Sequence, residues 1–204
     1  NEEVTNGDFS QEGSELVASG TFSSFSVQSG DVTISGDTAS FVDGGTNPNS
    51  RVSLSGLTAN KTYKVVFSVT RYVAGNVQMI FGGGNTFDVN ISAGVGTYTA
   101  YIVAGSSTSA QIKRNGGYAN FDFDLTSISI KEVGQDWSLV GDFQIDNTKA
   151  FIASASQYSQ LTQQSGVNFL TSGKSYKLEA DITTSITNAL AYRVTGGAIV
   201  PIAT

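Results

Sequence analysis

The chain has 204 residues and a formal net charge of -6, with 11 Lys and Arg against 17 Asp and Glu. Nucleic-acid affinity rests on clustered basic residues, so this balance argues against a phosphate-backbone partner. Cys and His are both absent, which removes disulfides, thiolate metal sites and the commonest general base and zinc ligand.

Charged residues make up 14% of the chain while Gly reaches 23 copies, a mixture that suits short strands and tight turns rather than long helices. In chain order, segments 31–35, 39–42, 51–55, 63–69 and 77–81 are short, rich in β-branched or aromatic residues, and followed by turn signals. Within the fourth, Tyr63, Val65, Phe67 and Val69 share one face by period two, with Lys64 and Ser68 on the other. Segments 97–103, 110–113, 120–125 and 127–133 continue the pattern, and no helix-period segment of useful length interrupts them. Strands so short and so evenly spaced predict an all-β sandwich or jelly roll. No run approaches the ~18 apolar residues that cross a bilayer as a helix. Nothing at the start resembles a secretion signal, and because the chain opens at Asn1 rather than Met, targeting stays open.

Internal repetition organises the chain. Thr58-Ala-Asn-Lys-Thr-Tyr-Lys-Val-Val-Phe-Ser-Val reappears as Thr171-Ser-Gly-Lys-Ser-Tyr-Lys-Leu-Glu-Ala-Asp-Ile, with Lys61 and Lys174 separated by 113 residues. Upstream, the block from Phe25 to Phe41 matches Trp137 to Phe151 once gapped, and downstream Gly82-Gly83 matches Gly196-Gly197. A period this long means duplicated domains, not a solenoid. The expected organisation is therefore tandem jelly-roll β-sandwiches, a first unit at 1–133 and a second at 134–204 that lacks its last strands. Open sheet edges are expected to be covered by another chain or by a longer version of this one, unless the sequence simply ends there.

Val4-Thr-Asn-Gly-Asp-Phe-Ser, the block from Leu57 to Phe67, Gly96-Thr-Tyr-Thr-Ala-Tyr and Ile128-Ser-Ile-Lys-Glu-Val resemble carbohydrate-binding-module-like (galactose-binding-like) jelly rolls. The likeness is greatest to tandem copies in bacteriophage tail-fibre and other virion surface proteins, where Lys-Glu-Val is followed directly by Gly-Gln-Asp-Trp, here Gly134 to Trp137. That resemblance implies a non-enzymatic virion structural protein of a tail fibre, head fibre or decoration. It implies a virion-surface or extracellular location, a homo-oligomer or other virion proteins as partners, and contact with a host glycan. Two alternatives stand beside it: a carbohydrate-binding module of a secreted bacterial polysaccharide-active protein, and a ligand-free structural subunit of an assembly. Neither nucleic acid nor membrane insertion is expected. No cofactor is expected either, apart from the structural calcium that many such modules hold. Asn6, Gly7 and Asp8 match the start of that motif, but its later Asp-Asn pair falls on Thr126 and Ser127, leaving Asp8 and Asp124 as candidate oxygen ligands.

Sugar recognition uses exposed aromatic faces with planar polar side chains beside them. Burial of Tyr98, Ala100 and Ile102 sends Tyr101 outward; Tyr72 beside Arg71 in an expected loop, and Tyr118 with Arg114 close by, are the other candidates. The same tyrosines also fit ordinary packing with a hydroxyl at the surface. Trp137 aligns with Phe25 and reads as a core residue opening the second copy. No catalytic residue is assigned: Asp122 and Asp124 share a strand face, which reads as a solvated surface, and Gly82-Gly-Gly-Asn lacks the Lys and helix of a phosphate loop.

Overall fold

Alternating apolar and polar side chains decide the elements. The computed structural model describes residues 7–45, 49–116, 120–146, 148–152, 159–163, 171, 173–183, 190–192 and 200–202. Its first strands are β1 (Glu12–Glu15), β2 (Ser26–Ser29), β3 (Val32–Ser35), β4 (Thr38–Val42), β5 (Arg51–Ser55) and β6 (Thr62–Ala74). They continue as β7 (Val77–Phe81), β8 (Asn85–Val89), β9 (Gly96–Val103), β10 (Ser109–Arg114) and β11 (Asp122–Val133). Then come β12 (Trp137–Val140), β13 (Phe143–Asp146), β14 (Lys149–Ile152), β15 (Gln160–Gln163), β16 (Leu190–Tyr192) and β17 (Val200–Ile202). A single 3₁₀ turn at Phe22–Ser24 is the helical element among the described residues.

One sheet has the order β3-β4-β11-β6-β9, with β1 also on β11, and the other has the order β2-β5-β10-β7-β8. All pairings are antiparallel. Within them β4 pairs with β11, β5 with β10, β6 with β9 and β7 with β8. The chain thus makes one long ribbon, folded at the β7–β8 hairpin and wrapped over two sheets, which is a jelly-roll β-sandwich.

The expected period-two face of β6 is the buried one: Tyr63, Val65, Phe67 and Val69 are each no more than 1% exposed. Across the core they meet Met79, Phe81 and Ile112 of the facing sheet. Tyr63 touches Phe81 edge-on at 6.2 Å, Phe41 stacks on Phe123 at 5.0 Å, and Phe67 stacks on Tyr98 at 5.6 Å. Each such side chain contributes about 1.5–3 kcal/mol by burial. The strand outruns its expected length, because β11 offers a partner as far as Asp122; Arg71 and Tyr72, expected in a loop, are strand residues.

Gly82 closes the ribbon. At φ +69, a Cβ there would lie 2.1 Å from the Gly105 nitrogen. That proximity lets Gly105 N–H donate to the Phe81 carbonyl and Ser107 N–H donate to the Gly82 carbonyl, at 3.0 and 2.9 Å.

The chain divides into two compact units, Asn1–Val167 and Asn168–Thr204. Local geometry repeats along it. Asp31 N–H donates to Ser50 Oγ at 2.7 Å after Gly30 at φ +87, and Asp142 N–H donates to Ser159 Oγ at 3.1 Å after Gly141 at φ +73. Hairpin β3–β4 has its counterpart in β13–β14, and pair β2–β5 in β12–β15. Thr58 N–H donates to the Tyr63 hydroxyl at 2.6 Å, and Thr171 N–H donates to the Tyr176 hydroxyl at 2.6 Å. The intervening turns place Asn60 and Gly173 at positive φ. Val77 faces Val89 in β7–β8, while Leu190 faces Ile202 in β16–β17, the same register at the same 113-residue offset. The environments differ: Tyr63 is 1% exposed, whereas Tyr176 is 43% exposed.

That difference sets the cost of removing each hydroxyl. Tyr63→Phe leaves a part-buried Thr58 N–H without its acceptor and is expected to cost about 1–2 kcal/mol in chemical denaturation. Tyr176→Phe, where water replaces the acceptor, is expected to cost less than about 0.5 kcal/mol.

Candidate functional site

The edge strands β8 and β9 meet on one side of the first unit, and β13 of hairpin β13–β14 packs beside β9. Ile145, 1% exposed, anchors that hairpin: its Cδ1 occupies the space where Gly134, at φ +69, has no Cβ. Between hairpin and sheet edge is a cleft of about 640 Å³ lined by Thr62, Lys64, Phe87, Thr99, Tyr101, Gln144, Asp146 and Phe151, with Ala100, Val103 and Ile145 beneath. Its volume suits a small polar ligand.

Alternation along β9 buries Ala100 and Ile102 and turns Tyr101 to the outer face, as expected from the sequence. Lys64 stands directly opposite Tyr101 in the β6–β9 ladder. Its Nζ donates to Glu12 Oε1 at 2.6 Å, and Lys131 Nζ donates to Glu12 Oε2 at 3.0 Å. Glu12 raises the Lys64 ammonium above the usual lysine range, and Lys64, then Lys131, hold the Glu12 carboxyl below the usual carboxylate range. Two cations on one carboxylate leave this edge of the cleft net positive. Thr62 adds a different feature: it is 1% exposed and its Oγ1 is buried without a hydrogen-bond partner, on the wall of the cleft. Such a hydroxyl is costly unless a bound molecule or water engages it.

Of the described candidates named from sequence, Tyr101 alone lies in this cleft. Tyr72 is a half-buried strand residue packed against the core. Arg71, on the same strand, grips Asp124 with two parallel bonds, Nε to Oδ2 at 2.7 Å and Nη2 to Oδ1 at 2.9 Å, and also binds Asp122. Arg71 holds the Asp124 carboxyl below the usual range, and Asp124, then Asp122, raise the guanidinium. Asp122 and Asp124 do share a face, and both are held by Arg71 in one partly exposed ion-pair network. Arg114, expected near the surface, is 8% exposed with its guanidinium 4.8 Å from the centre of the Phe121 ring. Tyr118 lies outside the described residues. Trp137 is half-buried against Phe9, ring centres 5.2 Å apart.

The calcium pair does not fit one ion. Asp8 accepts from Ser10 N and Oγ at 3.1 and 2.8 Å in an exposed turn beside Phe9, at the Val133 end of β11. Asp124 lies nine residues back along that strand, about 30 Å at roughly 3.3 Å per residue. Both Asp124 oxygens are engaged by Arg71. Among the described residues no group of three or more Asp or Glu is placed to hold a metal ion.

Sequence reading missed Lys64, Phe87, Gln144, Asp146 and Phe151 as site residues. Lys64 was legible as outward-facing, but its meeting with Tyr101 depends on the β6–β9 register, and the others arrive from β8, β13 and β14.

No family model matches this chain, and no curated protein matches it. Among the solved chains similar to it is one described as "CBM4 structure and function", aligned over 63% of this chain and 99% of its own at 16% identity and a TM-score of 0.35. An alignment that loose assigns no family. Among the described residues no helix is long and apolar enough to cross a membrane.

The Arg71 network has a measurable signature. A carboxyl depressed in the folded state stabilises above its unfolded pKa, near 3.9, and that contribution is lost as pH falls through this value toward the folded one. Asp124→Asn is expected to cost about 1 kcal/mol at neutral pH, given the partial exposure of the pair. It should also flatten the drop in melting temperature of the parent protein below pH 4, as read by circular dichroism.

Proposed function

We propose that the first unit is a non-catalytic carbohydrate-binding sandwich whose ligand occupies the Tyr101 cleft. The outward-turned ring of Tyr101, opposite Lys64 in the β6–β9 ladder and on the cleft wall with it, carries this reading, because an aromatic face beside a hydrogen-bonding group is what a sugar ring stacks on. Around it stand the aromatic surfaces of Phe87 and Phe151 and the hydrogen-bonding groups of Gln144 and Asp146, which complete the mixture of stacking face and planar polar group that a pyranose needs. Among the described residues Asp146 is the one carboxylate on the lining, which favours binding over the two-carboxylate arrangement of glycoside hydrolysis.

The finer placement is a bacteriophage virion appendage at the particle surface, with oligomerisation covering exposed edges. It is favoured by the Lys131-Glu-Val-Gly-Gln-Asp-Trp137 junction together with local geometry that recurs at a 113-residue offset. A stable multimer in light scattering of the native protein supports that placement; a monomer favours a binding module carried on a secreted bacterial protein.

Calorimetric titration with neutral gluco- and galacto-oligosaccharides tests the cleft. Tyr101→Ala is expected to weaken binding about tenfold or more through the lost stacking face. Phe151→Ala should weaken binding about threefold or more, because it removes the aromatic surface that hairpin β13–β14 brings to the cleft. Absence of binding to every neutral oligosaccharide, or binding unchanged in both variants, overturns the reading.

A further inference from the structure

The opposite sheet carries a second surface that the cleft does not use. On the outer face of β2-β5-β10-β7-β8, facing away from buried Val52, Ile112 and Met79, cross-strand neighbours line up as Ser29, Arg51, Lys113, Gln78 and Asp88. A parallel row runs Ser26, Ser53, Gln111, Ile80 and Thr86. At 4.7–4.9 Å per strand each row spans about 19 Å.

Within the first row Arg51 and Lys113 are direct cross-strand partners. Like charges so placed repel. Acids outnumber bases in this chain, yet among the described residues neither cation forms an ion pair. Arg51 Nε is buried with no hydrogen-bond partner. Burial, then Arg51 and Arg114, hold the Lys113 ammonium below the usual lysine range, with Asp88 opposing them. Asp88 is itself engaged, its Oδ1 accepting from Gln78 Nε2 at 2.7 Å. An anion between Arg51 and Lys113 would answer the repulsion.

We propose that this face binds an acidic polysaccharide, with Arg51 and Lys113 holding a carboxylate of the polymer while Gln78, Gln111 and Ser53 bond its hydroxyls. A guanidinium fork matches a planar carboxylate. Rows of amides and hydroxyls interrupted by a single apolar side chain, Ile80, suit a hydroxyl-rich polymer, whereas a peptide would need apolar anchors. The net charge of -6 opposes a polyanion at long range. Screening over about 8 Å at physiological salt leaves the local pair of cations in control, and makes the binding sensitive to salt.

Affinity electrophoresis and calorimetry of the full chain with polygalacturonate provide the test. Arg51→Gln and Lys113→Gln are each expected to weaken binding about tenfold or more, and Arg51→Lys by an intermediate factor, because charge survives but the fork does not. Lys61→Gln, which removes the same charge elsewhere, should change binding by less than about twofold. Without polymer, Lys113→Gln should melt no lower than the parent, since it relieves the cross-strand repulsion. No binding of polygalacturonate at low salt, binding indifferent to both Arg51→Gln and Lys113→Gln, or an equal loss in Lys61→Gln overturns the proposal. Neutral oligosaccharides report on the Tyr101 cleft separately, so either site can fail while the other stands.

Discussion

The pairing of β6 with β11 is the constraint on which the rest of the structure depends. These are the two longest strands, of 13 and 12 residues, and they run antiparallel through the middle of their sheet. Once they are in register, β9 has its only place on the free side of β6 and β4 its place on the far side of β11. The facing sheet follows, because each of its strands is joined to these by a short crossing. Register errors here would move Tyr63, Val65 and Phe67 from core to solvent together, since side chains alternate with period two. The bulges around Asp122, Asp124 and Thr126 allow the two strands to stay paired along their length while the sheet curves.

That curvature and closure leave the sandwich with two unlike surfaces. On one side, β13 packs beside edge strand β9, and the space between hairpin and sheet edge is the cleft of Tyr101, while β8 stays largely exposed. On the other side, the β2-β5-β10-β7-β8 sheet turns its polar rows outward, and among the described residues Arg51 and Lys113 form no ion pair. Acidic residues are instead spent on the first sheet, where Glu12 serves two lysines and Asp122 and Asp124 serve Arg71.

Repetition adds a control within the same chain. The turn from Thr58 to Tyr63 and the turn from Thr171 to Tyr176 make the same hydrogen bond with the same handedness of backbone. Local sequence is therefore sufficient for that turn. It is not sufficient for burial: Val65 is fully buried in its sandwich, while Leu178, its counterpart at the 113-residue offset, is 58% exposed. Strand pairing and facing-sheet contacts, not the residue itself, make a core position.

Sequence alone determined the all-β class, most of the strands from Asp31 to Val133, the buried face of β6, the outward direction of Tyr101 and the internal repeat. All of these are set by short-range physics: β-propensity, period-two alternation and turn chemistry act within a few residues. It did not determine that Arg71 and Tyr72 belong to a strand, that Arg114 is buried over Phe121, or that Asp8 and Asp124 lie at opposite ends of β11. Nor did it determine that Thr62, Lys64, Phe87, Gln144 and Phe151 share a cleft with Tyr101, or that Arg51 stands opposite Lys113. Those facts depend on which strand pairs with which and in what register, and register is decided by the mutual fit of segments tens of residues apart. Only the folded sandwich brings such segments within 5 Å of one another.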